Sequence, residues 1–400
     1  MKKQFFILLL LIIHLLSIGQ GDNNIKTELP CTDAMAQDVK GKWIQTANNG
    51  TYNTKETNSR LDEIHNMILK MYPQPTGMDI VWHRTAGMSY FGSKHKYYKT
   101  NDDRLTFDYL NLPHFTYYYY NAGFFNYQCE YGKTNSLMPT YPGETGTFLN
   151  VIANVTIGSM SQDDNWTING LPVKMYKASI TSADGIDVLY PEPGRNVYEV
   201  LIHRKGILPY TPVTRKQYLD YCIIFHTKIN DEVIKNYEKM PVRSLEDQEK
   251  EKRAKLAKFE KDFANDPKKL KANVDYYLSG YQTDQDRRNE LIIKTKKNRD
   301  DIVKKFIDEV EKTTNEGLLG VPALVLTMYQ HSPSVFETDL DKASMLIIEN
   351  PDYIRKDLPK YVPQFFIAQF AWNEWMPYTK FAAIFKEKFP FDKLQAMIDK

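Results

Sequence analysis

GILPYTPVTRKQYL, Gly206–Leu219, divides the chain into two textures. Before it the sequence is rich in Tyr, Gly and Pro and alternates like strands. After it the sequence is mostly helical. Val197–Ile202 is β-branched and alternating, so it reads as a strand, and Gly206 ends it. Pro209 and Pro212 each remove a backbone donor and push the preceding residue toward extended geometry. Thr214 then starts a helix. Its hydroxyl can accept from the Gln217 N–H while the Gln217 side chain reaches back, a capping box worth about 1 kcal/mol. The expected apolar stripe is Tyr218, Tyr221, Cys222, Phe225, Ile229 and Val233, stopping at Met240-Pro241. Arg215 and Lys216 sit in the first turn, where cations oppose the helix dipole. A carboxylate partner from the β half is therefore expected for them, as a docking contact rather than a ligand site.

Outward to the N-terminus, Lys2 and Lys3 precede the apolar run Phe5–Leu16, and Ser17-Ile18-Gly19 offers small residues for cleavage. The run is shorter than the roughly 20 residues that span a bilayer, so residues 1–21 read as a signal peptide rather than an anchor. The expected compartment is extracytoplasmic, periplasmic or secreted, with no stable membrane span after cleavage. The chain has 52 basic and 50 acidic residues. Loss of Lys2 and Lys3 leaves it neutral, which argues against a nucleic-acid partner and leaves envelope proteins and glycans open. Of three cysteines, Cys222 lies on the stripe. Cys31 and Cys129 are the expected disulfide in an oxidising compartment.

The expected fold class is α+β. Residues 22–205 form a mixed, mostly antiparallel β domain with a packed helix, and 206–240 the junction and capped helix. Residues 241–316 form a charged helical hairpin, or a long coiled-coil-like pair, and 317–400 a C-terminal α/β segment. The packed helix begins at Ser59, with Leu61, Ile64, Ile68 and Met71 on one face. Strands are expected at Asp79–Arg84, Thr147–Ile157, Val173–Ile180, Ile186–Leu189 and Val197–Ile202. Asn169-Gly170, Asp184-Gly185 and Pro193-Gly194 are the turns between them. Asp, Glu, Lys and Arg make up about half of Arg243–Glu316. That segment projects or packs by one edge, as a spacer or as a partner-binding surface. Gly317 is a C-cap. Ser344–Ile348 and Gln364–Trp372 fit buried strands or helices, and the chain ends in two amphipathic helices.

FTYYYYNAGFFNYQCEY, Phe115–Tyr131, is the densest aromatic block. It reads as a hairpin turning at Asn121-Ala-Gly123, with Tyr117 and Tyr119 on one face and Tyr118 and Tyr120 on the other. These four tyrosines are the candidate binding residues, because sugar rings stack on flat aromatic faces; the competing reading is cross-strand packing beneath a helix. Asn48–Tyr52 and Trp372–Trp375 add polar and aromatic groups. His83, His95 and His114 lie close in sequence but match no metal spacing. Asp163-Asp164-Asn165 lacks the alternating ligands of a calcium loop. No metal or cofactor is expected, since GxSxG, HExxH, phosphate-loop and dinucleotide motifs are all absent.

ILPYTPVTRKQYLDYC, DYIRKDLPKYVPQFF and the ending FPFDKLQAMIDK resemble a family of uncharacterised secreted proteins of Bacteroidetes-type bacteria. That resemblance implies a source and a compartment and carries over no site residue. The leading expectation is a non-catalytic protein- or glycan-binding envelope or secreted protein. The alternative is a hydrolase of envelope or dietary polymer, its carboxylates assembled by the fold.

Overall fold

The computed structural model describes residues 32–47, 53–89, 97–99, 105–107, 115–129, 137–139, 146–160, 166–191, 195–326 and 336–400. The signal segment, Cys31, Asn48–Tyr52, His95, His114, Asp163–Asn165 and Pro193-Gly194 lie outside them, as does the Cys129 side chain. The fold is α+β. Helices α1 (Asp33–Asp38) and α2 (Lys55–Met71) accompany strands β1 (Trp43–Gln45), β2 (Met78–Ser89), β3 (Phe115–Cys129) and β4 (Phe148–Ala153). Strands β5 (Lys174–Lys177), β6 (Ser179–Ala183), β7 (Ile186–Leu189), β8 (Asn196–Ile202) and β9 (Tyr210–Pro212) follow. Four helices come next: α3 (Arg215–Glu238), α4 (Leu245–Asp262), α5 (Pro267–Gly280) and α6 (Asp284–Asn315). Strands β10 (Ser344–Glu349) and β11 (Phe366–Trp372) and helices α7 (Met376–Lys388) and α8 (Phe391–Met397) complete the chain.

The large sheet runs β1-β2-β3-β4-β11-β8-β7-β6, antiparallel except for β1 on β2. The second sheet is built on β9-β10-β5, with Ser159–Met160 on β5 and Leu324–Val325 also on β10. The C-terminal strand β11 thus lies in the middle of the N-terminal sheet, and β10 in the middle of the second. The two halves share their cores. The four helices α3–α6 are an excursion between β9 and β10, two neighbours in one sheet.

Strand alternation sorts the layers. On β8, Val200 and Ile202 face a core with Leu61, Ile64 and Ile68 of α2 and Phe381 and Phe385 of α7. Leu201, between them, faces Ile347 of β10 in a core between the sheets. On β10, Leu346 and Ile348 point the other way, to Tyr218, Leu219 and Cys222 of α3 and Phe306 of α6. The order is therefore helices, large sheet, second sheet, helices. Phe124, Phe370 and Phe381 are fully buried in the first core, each contributing roughly 1.5–3 kcal/mol.

Several expectations change here. The block does not turn at Asn121-Ala-Gly123: β3 is unbroken from Phe115 to Cys129 and paired with β2 from Phe115 to Asn126. Asn121 and Gly123 are mid-strand positions. The first long helix starts at Lys55 rather than Ser59, because Thr54 and Thr57 cap each other's backbone N–H. Val173–Ile180 divides between the two sheets as β5 and β6.

The junction keeps its capping box: the Gln217 N–H donates to Thr214 Oγ1 at 3.2 Å, and the Thr214 N–H to Gln217 Oε1 at 2.9 Å. The carboxylate partner from the β half is replaced by other contacts. Lys216 pairs with Asp220 within its own helix, and the Arg215 guanidinium lies 4.6 Å over the Phe336 ring. The backbone N–H groups of Arg215 and Lys216 donate to the Val321 and Leu319 carbonyls. The buried face of α3 is Tyr218, Leu219, Cys222, His226 and Ile234, while Ile229 is exposed. The partner of α3 is α6, running antiparallel, with His226 stacked on Phe306 and Asp231 bound to Arg299. The long pair is therefore α3 with α6, whereas α4 and α5 form a separate charged arm. Gly317, at φ +71°, ends α6 as a Schellman cap: the Leu318 N–H bonds the Thr313 carbonyl and the Gly317 N–H that of Thr314.

Candidate functional site

Residues directly opposite in an antiparallel ladder share a face. On the face of the large sheet away from α2, the register aligns His83 of β2 with Asn121 of β3 and Asn121 with Asn150 of β4. It then aligns Asn150 with Gln369 of β11 and Gln369 with Glu199 of β8. Five consecutive strands each place one polar residue in a single row. The flanking rows are largely apolar: Val81, Gly123, Phe148, Ala371 and Val197 on one side, and Thr85, Tyr119, Ile152, Ile367 and Leu201 on the other. Four strand-to-strand steps of about 4.8 Å make the row about 19 Å long.

The row is hydrogen-bonded in segments. Asn121 Nδ2 donates to Asn150 Oδ1 at 2.6 Å, and Gln369 Nε2 donates to Glu199 Oε2 at 2.8 Å. Lys177, arriving from β5 of the second sheet, donates to the same Glu199 oxygen at 2.9 Å. Glu199 is buried; the other four row residues are half-buried. Partial burial holds the His83 imidazole below its ordinary pKa, so it is neutral near pH 7 and has one donor and one acceptor nitrogen.

The four candidate tyrosines divide as alternation requires. Tyr118 and Tyr120 are fully buried beneath α2. Tyr120 Oη lies 3.1 Å from His65 Nδ1, in a stack with Trp82. Burial removes both from any binding surface. Tyr117 and Tyr119 lie on the row side, half-buried, with rings 6.3 Å apart and 14° from parallel. Tyr119 is beside the row, its ring 6.3 Å from that of His83. Tyr117 lies across Gly87, its cross-strand neighbour: a Cβ there would meet the ring at 2.6 Å. Glycine at that position lets the ring lie down on the sheet.

At its Glu199 end the row enters a cleft of about 340 Å³ between the two sheets. Glu199, Gln369 and Lys177 line it together with Tyr190, Asp341 and Ser344. Tyr176 forms part of the same wall, and its buried hydroxyl has no hydrogen-bond partner among the described residues.

Other titratable clusters are structural. Lys174 and Glu349, each 1% exposed, form an ion pair at 2.6 Å in the second sheet. His203 Nε2 lies 3.1 Å from Asp187, and Ser182 donates to Asp187. A nucleophilic triad requires the hydroxyl on the histidine; here both groups converge on the carboxylate. Trp372 packs against Phe370 on the helix-covered face, away from the row. No group of three or more metal-ligating side chains occurs among the described residues, and no described helix is long and apolar enough to cross a membrane. Cys222 is buried and unpaired, its thiol pushed up to about 12 by burial.

Three of the five row strands show a visible sign, a polar side chain inside an apolar run: Asn150 in FLNVIA, Gln369 in FIAQFAW, Glu199 in VYEVLI. Joining them needs the strand order, which places residues more than 200 positions apart side by side. Comparison with known protein families, curated proteins and solved structures finds no match to this chain.

Proposed function

We propose that this is a non-catalytic glycan-binding protein that works outside the cytoplasm, with the polar row and its tyrosines as the binding surface. The observation that carries the reading is the row itself. Amide, imidazole and carboxylate groups alternate donors and acceptors along a straight line, as a chain of hydroxyl-rich units requires. Tyr119 and Tyr117 lie beside it as flat apolar rings for the faces of sugars. Leucine at these positions would fit a sheet face equally well, and withdrawing one charged and four polar or titratable groups wholly or partly from water is costly.

The experiment is retention on immobilised maltohexaose, laminarihexaose, mannohexaose and xylohexaose and on their soluble parent polymers. Binding by at least one, weakened by Tyr119→Ala, supports the reading; absence of retention on all of them sinks it. A polymer hydrolase is favoured by one observation: Asp341 lines the same cleft as Glu199. Release of reducing ends from a bound hexaose, abolished in Glu199→Gln, would establish that alternative. The basic and apolar N-terminal run, with the pattern of a signal peptide, supports the compartment.

A further inference from the structure

The row is closed at its β8 end. There the second sheet crosses it. Lys177 reaches over to Glu199, and the turn 340–343 with Ser344 makes the far wall of the cleft. Continuing the register in which Val188 faces Val200, the next strand presents Leu189, apolar and buried between the sheets. At the other end, β1 pairs with β2 only from Ile80 to Trp82. Thr46, which follows β1, donates its N–H to the Trp82 carbonyl at 2.9 Å and lies next to the His83 end. A linear chain lying along the row is blocked past Glu199.

We propose that the cleft is a terminal subsite, which takes the last unit of a neutral glycan, so that the protein recognises chain ends rather than chain interiors. The proposal rests on the glycan reading of the row. The cleft volume lies in the range of small-ligand pockets. Its charged lining balances, with Lys177 and Lys342 against Glu199 and Asp341, so an uncharged end unit needs no counter-ion. Glu199 supplies an acceptor and Gln369 an amide at the inner end, and the Tyr190 ring lines the same space.

The test is binding stoichiometry by calorimetry, using the hexaose retained above and two size fractions of its linear parent polymer. A terminal subsite predicts a fixed number of protein molecules per chain, the same for both fractions. It also predicts that Ser344→Trp, which fills the cleft, weakens hexaose binding at least about tenfold at an unchanged melting temperature. Should Ser344→Trp fail to fold, the wild-type stoichiometry decides alone. Bound protein rising in proportion to chain length overturns the terminal subsite and leaves the glycan reading intact. No binding to any chain overturns both.

Discussion

Among the described ion pairs, Lys174 and Glu349 are the most deeply buried. Both are excluded from water, and the 2.6 Å contact places each charge against the other. Lys174→Met removes the ammonium beside a carboxylate that is 1% exposed and should destabilise by about 3–5 kcal/mol, whereas Lys174→Met with Glu349→Leu should recover most of that loss. Urea unfolding of the three proteins checks this; equal losses in single and double variants would refute it. His203 carries a different charge logic. Its Nδ1 faces the carbonyl oxygens of Arg204 and Ile207, and its Nε2 faces Asp187. All three are acceptors, so both nitrogens carry protons. Burial opposes the charge, but Asp187 and the two carbonyls outweigh it and raise the His203 pKa above its ordinary value of 6.5. A raised folded pKa gives stability that is complete below the unfolded pKa and lost as pH rises through the folded one. The urea midpoint should therefore fall on moving from pH 6 into the alkaline range, and His203→Gln should flatten that slope. Asp187 adds the opposite limb. Burial raises its pKa, but His203 and Ser182 outweigh this and hold it low, so its contribution disappears as pH falls through the carboxylate range.

At the scale of elements, the charged arm and the packed pair behave differently. In α4 only Gln248 is buried and in α5 no residue is, whereas α6 buries Phe306 and Thr313 against the body. Limited proteolysis should cut first within 243–283 and spare the second half of α6; early cuts near Phe306 would contradict this packing. Local chemistry was legible in these elements. The Thr214 box, the α2 face at Leu61, Ile64 and Ile68, and the Gly317 cap all depend on residues within one or two helical turns. Asn121-Ala-Gly123 misled because those residues favour turns in isolation. Here twelve paired positions with β2 hold them extended, and Gly123 leaves room for the Phe125 ring, which a Cβ there would meet at 3.3 Å. The α3 stripe shifted toward His226 because its partner, α6, begins dozens of residues later, and only that contact decides which face is covered.

For the whole molecule, the decisive step is the return of the C-terminus. Arg204 grips Asp399 through Nε at 2.7 Å and Nη2 at 2.9 Å, and lies over the Tyr353 ring. This holds the chain end against the sheet that β11 completes. Sequence texture suggested two halves, and no local pattern announces that a strand at 366–372 enters between strands at 148–153 and 196–202. The row exists only because of that insertion, since Gln369 is its link between Asn150 and Glu199. The expected compartment has its own check: non-reducing peptide mapping should join Cys31 to Cys129 and leave Cys222 free. The central claim is that the row is a binding surface, and Asn150 lies at its centre. Calorimetric titration of wild type and Asn150→Leu with the retained hexaose tests it most directly. Loss of the central amide contacts predicts affinity lower by about tenfold or more, about 1.4 kcal/mol, at an unchanged melting temperature. Equal affinity in the two proteins would contradict the account.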